Sequence, residues 1–267
     1  MPASCSSKPA PNLPRFDCLR NAESRDKVPQ MPFRLVFLGM LGSGKSYVAR
    51  KAASLTGGVV LPFAKDVYRL SEAVLGRPVD KRIQSDRALL KTIGTDWGRE
   101  GRADVDAVLQ ARLAELWPER HGYADIWVDS FVRYAGAQPA AHIFNDDTRF
   151  PNELCRTVAL GFLPFYVGVS EATRGSRLAV RGEAVAPAAY RHPSEIMNTT
   201  LSTVAIDENL APIVWNDDAA APKRDWIVSQ ETFFAWLQTN DAAALTDFAQ
   251  QSPPQSLCEW ARSEPWK

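Results

Sequence analysis

From Phe33 to Leu38 the chain is apolar except for Arg34, and glycines follow at once. Such a run predicts a buried strand. Lys45–Leu55 then reads as a helix ended by Gly57-Gly58, Val59–Phe63 as a second strand, and Asp66–Leu75 as a helix stopped near Gly76 and Pro78. Ser85–Trp97 predicts another helix with Ser85 as N-cap. Val105, Val108, Leu109, Leu113 and Leu116 recur at helical spacing over Val105–Trp117, and the length of Tyr123–Tyr134 favours a helix. Ala141–Asn145 reads as a buried strand, Asn152–Ala159 as a helix, Leu163–Val169 as a strand, Ile213–Trp215 as a last strand and Gln230–Leu237 as a closing helix. Strands alternating with helices predict an α/β fold, three layers deep, with a mostly parallel sheet covered on both faces.

Outside this alternation the pattern fails in three places. Residues 1 to about 30 are rich in Pro, Ser and charge, which predicts a disordered leader, with Met31 as an alternative start. Residues 250–267 carry prolines that predict an extended tail, with Trp260 and Trp266 available to dock on the body. Ser170–His192 is basic and irregular, with Arg174, Arg177, Arg181 and Arg191, the composition of a mobile anion-binding loop. The domain proper is thus expected over residues 31–249.

Composition narrows the function. The 267 residues balance 31 Lys+Arg against 31 Asp+Glu. No global positive field exists to gather nucleic acid or an anionic membrane, so any polyanion site has to be local. No run approaches the roughly 18 apolar residues that span a bilayer, and the first residues lack a signal-peptide core. A soluble, cytoplasmic protein is expected. Cys5, Cys18, Cys155 and Cys258 are widely separated, and His121, His142 and His192 are the only histidines. That pattern suggests reduced thiols rather than a zinc site or a disulfide scaffold.

Candidate chemistry begins where the first strand ends. Gly39-Met40-Leu41-Gly42-Ser43-Gly44-Lys45-Ser46 satisfies G-x-x-x-x-G-K-[ST] between a predicted strand and a predicted helix. Gly39, Gly42 and Gly44 allow a tight turn that aims backbone N–H groups, that of Ser43 among them, at an anion. Lys45 is expected to reach the β- and γ-phosphates of ATP, and the Ser46 hydroxyl to ligate Mg²⁺. A second cluster, His142-Ile143-Phe144-Asn145-Asp146-Asp147-Thr148-Arg149-Phe150-Pro151-Asn152-Glu153, sets carboxylates and an arginine at the carboxyl end of a strand. Ligands of open α/β sheets bind at that end. A carboxylate there can hold Mg²⁺ through water and Arg149 can fork onto a phosphate, although an N-cap and a salt bridge would explain the same residues.

The run "NDDTRFPNELCRTVALGF", with "FAKDVYRL" and "LLKTIGTDWGRE" upstream and "RHPSE" downstream, resembles the deoxynucleoside monophosphate kinases of bacteriophages, members of the P-loop nucleoside monophosphate kinase fold. The resemblance covers roughly residues 33–215, leaves both ends of the chain outside it, and fits "TVAIDENLAPIVWND" loosely. It implies transfer of the ATP γ-phosphoryl group to the 5′-phosphate of a dNMP, with a helical acceptor-binding insertion at about 64–135 and a basic lid at about 170–195. It assigns Lys65, Arg87, Trp97 and Arg99 to the acceptor pocket. For Lys65 the alternative is a solvated helix start, for Trp97 core packing, and for Arg99 an ion pair with Glu100 or Asp96. Arg133 is a weaker candidate. Asp147 with Arg149 is implied to face ligand, and Asp146 to partner Mg²⁺ or Ser46, although the two aspartates remain interchangeable. Arg174, Arg177 and Arg181 are implied to close over the transferring group, while His192 reads as structural. Stable nucleic-acid binding is not expected, and a homodimer is compatible with the fold. Two other readings stay open: a P-loop kinase acting on a modified base or hydroxyl in DNA, and a nucleotide-gated ATPase or regulatory module.

Overall fold

Alternation along the first strand sets the layers. β1 (Arg34–Leu38) sends Leu35 and Phe37 to one side of the sheet and Val36 and Leu38 to the other, all fully buried. A central strand with period-two side chains must do this. The computed structural model describes residues 32–118, 121–138, 141–180 and 193–265, all within one unit, Met31–Lys267. The expected leader, Arg181, Arg191, His192 and Trp266 lie outside the described residues.

After β1 come α1 (Lys45–Thr56), β2 (Val59–Val60), α2 (Lys65–Leu75), α3 (Gln84–Lys91), a π-helical turn (Thr92–Trp97), α4 (Ala107–Leu116) and α5 (Ile126–Gly136). There follow β3 (Ile143–Asn145), α6 (Pro151–Ala159), β4 (Leu163–Gly168), α7 (Glu171–Val180), α8 (Pro193–Glu208), β5 (Ile213–Trp215), β6 (Ile227–Ser229), α9 (Gln230–Thr239), α10 (Ala242–Gln250) and α11 (Pro254–Arg262). The strands form one sheet in the order β2-β3-β1-β4-β5-β6, and every pairing is parallel. Because β1 has β3 on one side and β4 on the other, the crevice where ligands of such sheets bind opens at the carboxyl ends of β1 and β3.

One face is covered by α1, α9 and α10, whose Val48, Phe233 and Phe248 pack on Phe37 and Phe165. The Phe233 ring meets Phe37 and Phe165 edge-on at 5.9 and 5.3 Å, the offset geometry that ring quadrupoles favour. On the other face α2, α4, α5 and the π-turn cover Val36 and Ile143, while α6, α8 and α11 cover Leu38, Tyr166 and Ile213. No described helix is long and apolar enough to cross a membrane.

Several elements depart from the sequence expectation for identifiable reasons. The second strand is paired only at Val59 and Val60, since Pro62 has no N–H to continue a ladder. Ser85 is not an N-cap: α3 begins at Gln84, and Asp86 organises its start by accepting Arg77 at 2.7 and 2.8 Å and the Asp80 amide at 2.9 Å. The expected helix Ser85–Trp97 widens at Thr92, where the Gly94 carbonyl is taken by Trp127 Nε1 at 2.8 Å and Arg99 Nη1 at 3.2 Å. Gly98 N–H bonds Ile93 O instead, an i→i−5 step. Residues 171–180 of the expected irregular loop are helical as α7, because Asp217 accepts from Ser170 N and Thr173 Oγ1, both at 2.8 Å, and fixes the helix start.

The expected extended tail is also helical. Pro254 occupies a first-turn position, where its missing N–H costs nothing, and α11 buries Leu257, Cys258 and Ala261. Cys155 and Cys258 are free thiols, with Cys155 Sγ 3.7 Å from the Cys258 carbonyl. Burial first, then the neighbouring Cys155, pushes the Cys258 thiol up to about 12.

Candidate nucleotide-binding site

The turn after β1 leaves its amides unsatisfied. Ser43 N–H bonds Met40 O at 3.1 Å and Gly39 N–H bonds the Asn198 side chain at 2.9 Å, but the amides of Gly42, Gly44, Lys45 and Ser46 make no hydrogen bond among the described residues. No side chain caps α1 and no acid lies in its first turn. Unpaired N–H groups at the positive end of a helix are a receptor for an anion. The Ser43 hydroxyl, buried inside the turn, has no hydrogen-bond partner among the described residues.

Lys45 lies over this turn with its ammonium bonded to the carbonyls of Gly39 and, at 3.1 Å, Met40. Burial lowers its pKa to about 8, while Glu195, Asp146 and Asp147 pull it back up and Arg149 pushes it down. The ammonium therefore sits in one electrostatic neighbourhood with the carboxyl end of β3.

The arginines of α7 brace the turn from outside. Arg174 is 6% exposed, bonds both Glu171 oxygens at 2.8 and 2.5 Å, and lies 3.5 Å from Leu41 O. Arg177 donates to Ser43 O at 3.1 Å and to Asn216 O at 2.9 Å, and Asn216 Nδ2 adds a second bond to Ser43 O at 2.8 Å. Asp217 anchors this bracket. Burial raises its pKa, but hydrogen bonds from Ser170, Ala219 and Thr173 overcome that and hold it well below the usual carboxylate range.

At the end of β3 the two aspartates part ways. Asp147 accepts from Phe63 N at 2.8 Å, Ala64 N at 3.0 Å and Asn145 Nδ2 at 3.0 Å, and so fixes the turn into α2. Burial is the largest influence on its pKa and raises it despite those amide bonds. Asp146 makes no hydrogen bond among the described residues, and neither does the Ser46 hydroxyl. Ser46 lies in the first turn of α1 and Asp146 directly follows β3.

Arg149 is half-exposed and bonds Glu195 at 2.5 Å. Its amide is held at 2.8 Å by Glu153, which also caps α6 through Phe150 N at 3.2 Å and takes Arg99 Nη2 at 2.6 Å. Arg99 thus has an ion pair, though with Glu153 rather than Glu100 or Asp96, and lies 4.7 Å over the Phe150 ring. Burial raises the Glu153 pKa to about 7 against the pull of Arg99. A raised carboxyl pKa gives stability that is fully present below about pH 4.5 and disappears as the pH rises through about 7. The expected result is a wild-type stability that falls between pH 5 and 8 by on the order of 2 kcal/mol through this group, read as a falling melting temperature, and a flatter profile in Glu153→Gln. Thermal melts of both proteins across that range check it.

The remaining acceptor candidates lie on α2, α3, the π-helical turn and α5. Lys65 is exposed at the start of α2 with its ammonium 3.6 Å above the Tyr134 ring. Arg87 is exposed on α3 and bonds the Lys81 carbonyl. Trp97 is 1% exposed and stacks at 4.5 Å on His121, an arrangement in keeping with the packing alternative. Arg133 lies 5.6 Å over Trp117 and lines a cleft that includes no residue of the glycine-rich turn after β1. Two clefts, of about 620 and 490 Å³, flank α6 and α2 and include no residue of that turn.

Three residues that the sequence reading missed hold the site together. Asn198 of α8, 1% exposed, accepts from Gly39 N and donates to Thr148 O at 3.0 Å, tying the turn after β1 to the segment after β3. Glu195 lies three residues earlier, the helical spacing that would have paired them on one face. Asn216 had no local signal at all.

No protein-family model matches the chain, and no curated protein matches it. Among solved structures it is similar to a sugar kinase from Janibacter sp. HTCC2649, at 13% identity and a TM-score of 0.37, over 84% of this chain and 98% of that one. It is also similar to a "putative kinase" from Chloroflexus aurantiacus, at 12% identity and a TM-score of 0.36, over 79% of this chain and 98% of that one.

Proposed function

We propose that the protein is an ATP-dependent phosphotransferase whose acceptor is the 5′-phosphate of a deoxynucleoside monophosphate. The observation that carries this reading is the pair of cationic centres joined through Asn198: the free amides with Lys45 on one side, and Arg149 on the other. A single nucleotide triphosphate would be served by the first alone. A second cation at the neighbouring strand end suits a reaction that must bring two polyanions together, in which positioning and charge neutralisation are most of the catalysis.

In this reading the unpaired amides and Lys45 hold the β- and γ-phosphates of ATP. An oxygen of the acceptor phosphate attacks the γ-phosphorus, the bond to the β–γ bridging oxygen breaks, and ADP leaves. Arg149 neutralises charge on the acceptor or on the transferring group. Ser46 and Asp146 are hard oxygen donors with no hydrogen-bond partner among the described residues and suit Mg²⁺, which is commonly bound by one or two protein oxygens together with substrate phosphates. When bound, the ion would neutralise phosphate charge. Asp147 acts through the turn it fixes, and Arg174 and Arg177 act through the loop they brace.

The deoxynucleotide acceptor rests on the resemblance of "NDDTRFPNE" and its companions to the phage kinases. A coupled ADP-release assay with ATP and Mg²⁺ against each common dNMP and NMP tests it. Release that requires a deoxynucleoside monophosphate is expected. Release independent of every monophosphate would remove this acceptor class and direct the search to DNA or a gated partner.

A further inference from the structure

In the structure the guanidinium of Arg149 bonds a carboxylate of the protein itself. Arg149 Nη1 and Glu195 Oε1 are 2.5 Å apart, although the two residues lie 46 positions apart and in different elements. Glu195 is 16% exposed, whereas Arg149 keeps 46% of its side chain exposed. A carboxylate oxygen and a phosphate oxygen make the same charge-assisted bond to a guanidinium. The bond Arg149 makes to Glu195 therefore uses an N–H that an incoming phosphate could take.

We infer that Glu195 is an internal stand-in for phosphate, and that ligand binding at Arg149 exchanges one anion for another. The inference rests on the site being a phosphate site, as proposed above.

The exchange needs only the side chain to move. Asn198, one turn further along α8 and fully buried, is bonded to both Gly39 and Thr148, so the helix stays in place while Glu195 turns away. Arg149 can turn as well, since it is held through its backbone amide by Glu153 and its guanidinium has no other described partner. Glu195 is also the foremost carboxylate acting on Lys45, ahead of Asp146 and Asp147. One carboxylate thus compensates both cations of the site. In its absence Lys45 and Arg149, which repel each other, would face each other with less compensation and attract a polyphosphate more strongly.

Two arrangements of the pair predict opposite signs. If Glu195 competes with phosphate, removing its charge tightens binding. If it stays in place as an orienting partner, removing it loosens binding, because Arg149 loses its aim. Calorimetric titration of inorganic tripolyphosphate into the full chain, without acceptor, separates them. Glu195→Gln is expected to bind about three- to thirtyfold more tightly than wild type, the range for an ion pair of intermediate exposure. Glu195→Asp, which keeps the charge but withdraws it, is expected to fall between the two and provides a second fold-conserving variant. Adding Arg149→Gln to Glu195→Gln is expected to cancel most of the gain. Unchanged or weaker binding in both single variants would overturn the inference. Because no acceptor enters this titration, tighter binding in a protein that phosphorylates no monophosphate would reject the kinase reading and leave this one standing. An active kinase with unchanged binding in the variants would do the reverse.

Discussion

Replacing Lys45 by alanine is expected to lower acceptor-dependent ADP release by about 10³-fold, the scale of losing a cation that stabilises charge on a transferring phosphoryl group. The side chain is poised rather than satisfied. Its ammonium rests on the Gly39 and Met40 carbonyls, burial lowers its pKa to about 8, and no carboxylate among the described residues forms an ion pair with it. An unfolded lysine keeps its proton up to about 10.5, so the unfolded chain binds more protons between pH 8 and 10.5 and this group's penalty on folding lessens as the pH rises through that window. Removing the side chain removes that penalty. Lys45→Ala should therefore lose activity without losing melting temperature, a combination that global unfolding cannot produce. The same pKa gives a second readout in the wild type: a polyphosphate bound beside the ammonium raises its pKa, so binding at pH 8 to 9 takes up a proton. Titrations in two buffers of different ionisation enthalpy measure that uptake, and Lys45→Ala should abolish it.

What was legible in the sequence divides by the distance along the chain over which each interaction acts. The glycine-rich turn is written in eight successive residues, and the strand before it announces itself by an apolar run, so both could be read locally. The bracket around Ser43 O could not, because Arg177 and Asn216 arrive from 134 and 173 residues away. The basic stretch after β4 misled for a related reason. Its arginines suggested an irregular, mobile anion-binding loop, but Arg174 is stowed against Glu171 and Leu41, and the helix is started by Asp217 from beyond the next strand. At the tail, prolines read as breakers were helix starters, a distinction that depends on whether Leu257 and Ala261 have a surface to bury against. Asp147 shows the limit most clearly. A carboxylate at a strand end signals a ligand site, yet whether it faces ligand or backbone amides depends on Phe63 and Ala64, 84 and 83 residues before it.

Gly44→Ala is expected to abolish polyphosphate binding and to lower stability by roughly 2–3 kcal/mol, and the comparison with Gly57→Ala shows why. Both glycines have positive φ, +94° at Gly44 and +67° at Gly57, and both flank α1. A Cβ on Gly57 would meet nothing within 4 Å, so alanine there costs only backbone strain, about 1–2 kcal/mol. A Cβ on Gly44 would lie 2.1 Å from Asn216 Nδ2 and 3.4 Å from the Arg177 guanidinium. Asn216 is 3% exposed and cannot swing into solvent, and its Nδ2 is the group that holds Ser43 O. The methyl group must break that bond or push the turn, and either change misdirects the free amides of Gly44, Lys45 and Ser46. Melting curves and tripolyphosphate titrations on the two variants separate the contributions: strain alone in Gly57→Ala, with binding near wild type, against strain plus a broken bracket in Gly44→Ala. Equal losses in both would mean that Asn216 yields freely, and that the bracket behind the glycine-rich turn does not hold its shape.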